Sequence, residues 1–241
     1  MSSSVISDHT SSAFDADLSG LRSDIAEMGG LVVKAVTDAV LALAHRDREL
    51  ARSVVELDDR IDAIRRGIEE RSILTIARRQ PMAVDLREIV ASFRIANELE
   101  RFGDLAKNIA RRAAEVGELG PTRAVRRLEQ MASLVRKQLK AVLDSFINRD
   151  ADKALAVWAG DEEIDALHTS LFRELLTYMM EDPRCIGYCT HLLLCAKNIE
   201  RMGDHAANIA EAVQFIVTGQ KNLDPRPKSD ESSITVVRMR P

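Results

Sequence analysis

Glu100, Arg101, Gly103, Asp104, Ala106, Asn108, Ile109 and Ala110 recur with identical spacing as Glu200, Arg201, Gly203, Asp204, Ala206, Asn208, Ile209 and Ala210. Eight identities in eleven positions, offset by 100 residues, mark an internal duplication. The match extends upstream at an offset of 103, where Asp47, Ala51, Asp58, Ile61, Asp62 and Ala63 correspond to Asp150, Ala154, Asp161, Ile164, Asp165 and Ala166. The chain is therefore two copies of one folding unit, and each structural expectation has to hold twice.

The unit is helical. Leu18, Leu21, Ile25, Met28, Val32, Ala35, Ala39 and Leu43 keep a spacing of three or four, the mark of one long amphipathic helix. A second helix is expected from about Asp47 to Arg78 and ends at Gln80 and Pro81, because proline removes a donor and cannot continue it. A third spans about Val84 to Val116. Gly117, Gly120 and Pro121 then form a break between the copies. The second copy gives helices over about Thr122 to Phe146, Asp150 to Met180 and Cys185 to Val217, with Pro183 at the last turn. The expected fold is all-α, two tandem pseudo-symmetric three-helix bundles over 14–117 and 121–218. A flexible N-terminus (1–13) and tail (219–241) flank them, the tail carrying a short apolar run from Ile234 to Val237.

Composition excludes several classes. Aromatic residues are only 4% of the chain, which disfavours sheets. A net charge of -4, from 34 basic and 38 acidic residues, provides no general basic field for nucleic acid or an anionic bilayer. No apolar run is long enough to span a membrane, and the Ser-rich start lacks the charged and apolar regions of a signal peptide, so a cytoplasmic protein is expected. The three cysteines, Cys185, Cys189 and Cys195, form no disulfide or zinc framework.

The candidate chemistry lies in repeated carboxylates. Glu100 with Asp104 and Glu200 with Asp204 are four apart, so each pair shares a helix face with side chains about 5–6 Å apart. Alone, such pairs are common on solvated surfaces. Asp58 with Asp62 and Asp161 with Asp165 repeat the spacing on the second helices. An antiparallel hairpin turning at Pro81 sets Asp62 opposite Glu100 and Asp58 opposite Asp104, and one turning at Pro183 does the same for Asp165 with Glu200 and Asp161 with Asp204. Each unit thereby brings four carboxylates to one level. On the helical wheel Glu200 and Asp204 fall away from the stripe of Cys195, Ile199, Met202, Ala206 and Val213, which puts both grooves outside the core.

Four like charges at one level repel unless a cation neutralises them. One answer is a metal ion with oxygen ligands (Fe, Mn, Mg or Zn), with Asn108, Asn208, Arg101 and Arg201 as supporting residues around the ligands. The other is salt bridging to Arg101, Arg201 and their neighbours, worth roughly 0–1 kcal/mol per pair. Duplication and register together favour the metal. Gly103 and Gly203 cost about 1 kcal/mol each relative to Ala in a helix interior, which implies a close approach at the same level. His205 faces Leu105 across the repeat, and His168 faces Arg65, so a symmetric His-containing di-iron enzyme site is not supported.

These motifs resemble the PhoU family. Its duplicated acidic signature, Glu or Asp followed four residues later by Asp, is met by Glu100 to Asp104 and Glu200 to Asp204. Further matches are Phe14, Asp15, Leu18 and Leu21 through Met28 and Gly29, the run Gln80, Pro81, Met82, Ala83, Asp85, Leu86, Arg87, and Asn208 through Glu211. The resemblance implies a non-enzymatic cytoplasmic regulator, often a homodimer, with multinuclear metal sites on the bundle surfaces. It also implies partners, a phosphate ABC transporter and a membrane sensor histidine kinase, through which the phosphate-starvation response is repressed. No glycine-rich phosphate loop is present, so the signal is expected to arrive through the transporter.

Overall fold

In the computed structural model, backbone is described for residues 3–115, 122–160 and 162–220, and side chains from Phe14 onward within those limits except Thr122. The break at 117–121, Asp161 and the apolar run from Ile234 to Val237 lie outside the described residues.

Among the described residues there are no strands. The helices are α1 (Ser3–His45), α2 (Arg48–Arg79), α3 (Ala83–Glu115), α4 (Thr122–Asn148), α5 (Ala151–Ala159), α6 (Glu162–Glu181) and α7 (Ile186–Thr218). They build six arms, because α5 and α6 are two segments of the arm expected to run unbroken from Asp150. The break follows α5 at Gly160, whose N–H bonds to the Val157 carbonyl in a tight last turn. At the other end, α1 begins at Ser3, well before Leu18.

The repeated aspartates have a local task. Asp47 caps α2, its side chain accepting from the backbone N–H groups of Glu49 and Leu50 at 3.0 and 2.9 Å. Asp150 caps α5 in the same way through Lys153 N–H at 2.9 Å. Each cap satisfies donors that a helix start leaves orphaned, a contribution of about 1 kcal/mol. The preceding turns also repeat, with Arg46 and Arg149 both left-handed at φ 58° and 52°. The hairpins fall where proline placed them. α2 ends at Gln80 in a left-handed conformation, and Pro183 opens a 3-10 turn over Pro183–Cys185 capped by Asp182.

Each repeat closes around its own apolar stripes. Leu21, Ile25, Met28 and Val32 of α1 meet Ile61 and Ile68 of α2 and Ile95, Leu99 and Phe102 of α3, all essentially excluded from water. In the second repeat Leu128, Met131, Val135 and Leu139 meet Ile164, Leu171, Ile199 and Met202. Burial of each such side chain contributes about 1.5–3 kcal/mol. The repeats are packed together: α3 lies along α7 and α1 along α4, so the interior is continuous.

Polar contacts tie the halves, among them Arg136 of α4, which donates to Thr37 Oγ1 of α1 at 3.0 Å. Glu88 of α3 is 2% exposed and is held by Arg22 Nε at 2.5 Å and by Arg149 of the second repeat. Farther along the same seam, His205 Nδ1 lies 2.7 Å from Glu98 Oε2, and Asn208 Nδ2 donates to the same oxygen at 3.0 Å.

Candidate functional site

In the first repeat the structure brings Asp58, Asp62, Glu100 and Asp104 together across the α2–α3 seam. Asp58 interacts electrostatically with Asp104 and Asp62, and Glu100 with Asp104 and Asp62, which is the pairing that the hairpin register dictated. Gly103 explains how close the helices come. A Cβ at that position would stand 3.2 Å from Asp58 Oδ1 and 3.2 Å from Ile61 Cδ1, so a side chain there would press on both.

The electrostatics follow from burial. Asp58 is 4% exposed, and desolvation raises its carboxyl above the usual range, with Asp104 and Asp62 pushing the same way and Lys107 opposing. Glu100 is raised too, first by burial and then by Asp104, while Arg101 counteracts. Lys107 supplies the local positive charge. Its Nζ sits 2.8 Å from Asp104 Oδ1 and also pairs with Asp58 Oδ2. Burial pulls its pKa down, but the hydrogen bonds it donates to Asp104 and Asp58 outweigh that and leave it raised. Asp58 Oδ1 remains buried with no hydrogen-bond partner. Arg101 is peripheral, 3.5 Å from Glu100 and 3.9 Å from Asp104, and Asn108 is half-buried.

The second repeat departs from this pattern. Glu200 and Asp165 are 4% and 3% exposed, which corrects the expectation that the carboxylates stand outside the core. The wheel ranked α7 by its own stripe, whereas α3, α4, α5 and α6 all pack on α7 and leave faces beyond that stripe covered. Lys197 Nζ is 2.8 Å from Glu200 Oε2 but out of line for a hydrogen bond, so that oxygen has a countercharge without a donor. Lys107 has no counterpart there, since the matching residue is Ala207. Asp204, Arg201 and Asn208 instead line a cleft of about 390 Å³ with His205, Trp158 and Glu211. Asn208 gives its amide to Glu98, and Trp158 Nε1 donates to Glu211 at 3.3 Å.

The residues fit a hard cation in donor chemistry, most clearly in the first repeat, where an all-oxygen cluster carries one buried oxygen without a donor. Among the described residues, however, no three His, Cys, Asp or Glu side chains converge closely enough to hold one ion. In the first repeat an ammonium group sits between two of the prospective ligands.

Spacing alone missed Lys107, Glu88 and Glu98. Lys107 had a local signal, because it lies three residues after Asp104 on the same helix face. Glu98 had none, since its partners belong to the other repeat. The cysteines are buried, Cys185 and Cys189 having sulfurs 3.6 Å apart. Burial pushes the Cys189 and Cys195 thiols up to about 12, which suits inert core residues. Among the described residues no helix is long and apolar enough to cross a membrane.

Comparison with known proteins agrees with the duplicated helical fold. The PhoU domain family model matches residues 25–113 and 128–213, one match per repeat. The phosphate-specific transport system accessory protein PhoU homolog of Rhizobium meliloti is 54% identical over 226 residues, covering 93% of this chain and 95% of that protein. The homolog of the same name from Caulobacter vibrioides is 47% identical, covering 93% of this chain and 98% of that protein. The crystal structure of PhoU from Pseudomonas aeruginosa superposes with a TM-score of 0.81 at 43% identity, covering 86% of this chain and all of that one. With the duplicated acidic motif, the two bundles and a match along nearly the whole length in agreement, this chain belongs to the PhoU family.

Proposed function

We propose that this protein is a non-enzymatic accessory regulator of phosphate uptake. It represses the phosphate-starvation response when phosphate is plentiful, linking a phosphate ABC transporter to a sensor histidine kinase from the cytoplasmic side. The observation that carries this reading is the 54% identity to a phosphate transport accessory protein over 95% of that protein's length, which leaves no large part of either chain outside the match. In a deletion strain, a phosphate-starvation reporter is expected to be active in high phosphate. A reporter that stays repressed would overturn the role.

Within that role the acidic quartet of the first repeat is proposed as a site for a divalent or trivalent cation. Asp58, Asp104, Glu100 and Asp62 are its prospective ligands, which would have to close on the ion as Lys107 withdraws, and when bound the ion would supply the positive charge that the carboxylates need. Asp58 Oδ1, buried without a donor, supports this reading. A homodimer is part of the proposal and follows from family resemblance alone.

A metal-free reading is favoured by one observation: Lys107 already bridges Asp58 and Asp104. In that form the quartet is an internal ion network that fixes the α2–α3 seam. Elemental analysis of protein purified without chelators separates the two, since bound metal in stoichiometric amount is expected only under the first.

A further inference from the structure

A second concave surface lies on the α2–α3 seam, toward its far end from Pro81. Arg48, Arg52 and Arg111 line a cleft of about 570 Å³ whose floor is Ala51, Ala110 and Ala114, with Val55 as a wall. Arg48 and Arg52 are one turn apart on α2, and Arg111 reaches in from α3. None of the three has an ion pair or hydrogen bond among the described residues. Other exposed arginines, such as Arg60, Arg66 and Arg78 of α2, also lack an ion pair among the described residues, and what sets this place apart is that three such groups line one concavity. Glu115 is the one acid in the lining, at the exposed rim, and it pairs with none of them.

The duplication provides an internal control. The positions matching Arg48, Arg52 and Arg111 are Ala151, Leu155 and Glu211. None of the three positive charges is present at the equivalent positions of the second repeat, where two of the floor alanines persist as Ala154 and Ala210 and the third is Gln214. Packing of the shared fold therefore does not require the arginines, and a role specific to the first repeat remains.

We propose that this cleft binds a small polyphosphorylated anion. Three guanidinium groups around one concavity suit a compact ligand with several charges, whereas an acidic peptide would need them strung along a line. The planar forks match phosphoryl oxygens bidentately, and the alanine floor lets the ligand approach the helix backbones. A single orthophosphate fills too little of the volume to reach all three. No aromatic side chain lines the cleft, so recognition rests on the phosphate chain and not on a stacked base. The proposal is independent of the regulatory reading and of any metal in the acidic quartet.

Calorimetric titration of the full-length protein in 0.15 M salt tests it, with pyrophosphate, tripolyphosphate, ATP, orthophosphate and citrate as probes. Saturable binding of one pyrophosphate or tripolyphosphate per chain is expected, with orthophosphate and citrate at least tenfold weaker. ATP no tighter than tripolyphosphate is expected, since the phosphate chain suffices, and ATP clearly tighter than tripolyphosphate would overturn recognition through the phosphate chain alone. The Arg52→Ala/Arg111→Ala protein should bind at least tenfold more weakly. Binding should be unchanged in protein stripped of metal by EDTA and dialysed, which separates the cleft from an anion carried by metal on the quartet. Independently of any variant, pyrophosphate should shield Arg48, Arg52 and Arg111, but not Arg126, from phenylglyoxal as read by mass spectrometry. Absence of saturable binding, citrate binding as tightly as pyrophosphate, or affinity unmoved by loss of the arginines would each overturn the assignment.

Discussion

Lys107 Nζ stands 2.8 Å from Asp104 Oδ1, in the position that Ala207 occupies in the second repeat. The same ammonium also pairs with the buried Asp58, so one side chain neutralises carboxylates from two helices. Replacing it with Met keeps much of the stem and removes the charge. Lys107→Met is expected to cost about 1–3 kcal/mol in chelator-treated protein, because Asp58 is left buried without its countercharge. Added Mn or Zn should then raise Tm more in the variant than in wild type, since the internal competitor is gone. A thermal melt with and without metal measures both effects, and equal metal-induced shifts would remove the quartet as a cation site.

Glu100 is raised by burial and by Asp104, and the sign of its pH effect follows. A carboxyl whose folded pKa exceeds its unfolded value of about 4.3 is penalised when ionised, so stability falls as pH rises through the folded value. Glu100→Gln should therefore stabilise the metal-free protein at pH 7 by up to about 1 kcal/mol. The advantage should vanish below about pH 4, where both forms are neutral. Urea unfolding at the two pH values checks this.

At the seam between repeats the sign reverses. Burial would raise Glu98, but the bonds from His205 and Asn208 prevail and hold it below the usual carboxylate range. Its contribution is present above the unfolded value and is lost as pH falls through the folded one. His205→Ala should cost about 1–2 kcal/mol at neutral pH. Glu98→Gln should flatten the acid limb of the stability profile, as followed by circular dichroism between pH 7 and pH 3.

Glu88 tests how the halves are joined. With Arg22 and Arg149 both at hand, loss of either one leaves a countercharge, and each single Ala variant is expected to cost about 1 kcal/mol. The double variant strands a buried carboxylate and should cost about 3 kcal/mol or more, well above the sum of the singles. A double-mutant cycle by urea unfolding gives the coupling directly.

Gly103 tests the close approach of α2 and α3. Gly103→Val would press on Asp58 and Ile61, where even a Cβ meets atoms at 3.2 Å, and a destabilisation of about 1–3 kcal/mol is expected. The matching change at an open position, Gly67→Val on the same hairpin, should be near neutral or mildly stabilising, because Val is the better helix former and meets nothing there. Equal effects at the two sites would show that contact does not govern Gly103.

Much of this architecture was written in local patterns. The three-or-four spacing of α1, the prolines at 81 and 183, and the aspartates that cap α2 and α5 act within a few residues of themselves, so six arms and two hairpins could be read directly from the chain. Hairpin register is equally local: once the turn sits at Pro81, Asp58 must face Asp104. The broken arm was less legible, since Gly160 alone is a weak stop signal and the apolar spacing continues through it.

What the sequence by itself determined was which residues share a level and a face. The tertiary structure decided what surrounds them. Asp58 is neutralised by Lys107, Glu200 is buried although it lies off its helix's own apolar stripe, and Asn208 turns to Glu98. Burial and countercharge depend on which helix lies over a seam and on residues a hundred positions away. No period within a single helix encodes that, and for this reason two copies of one motif became two different electrostatic sites.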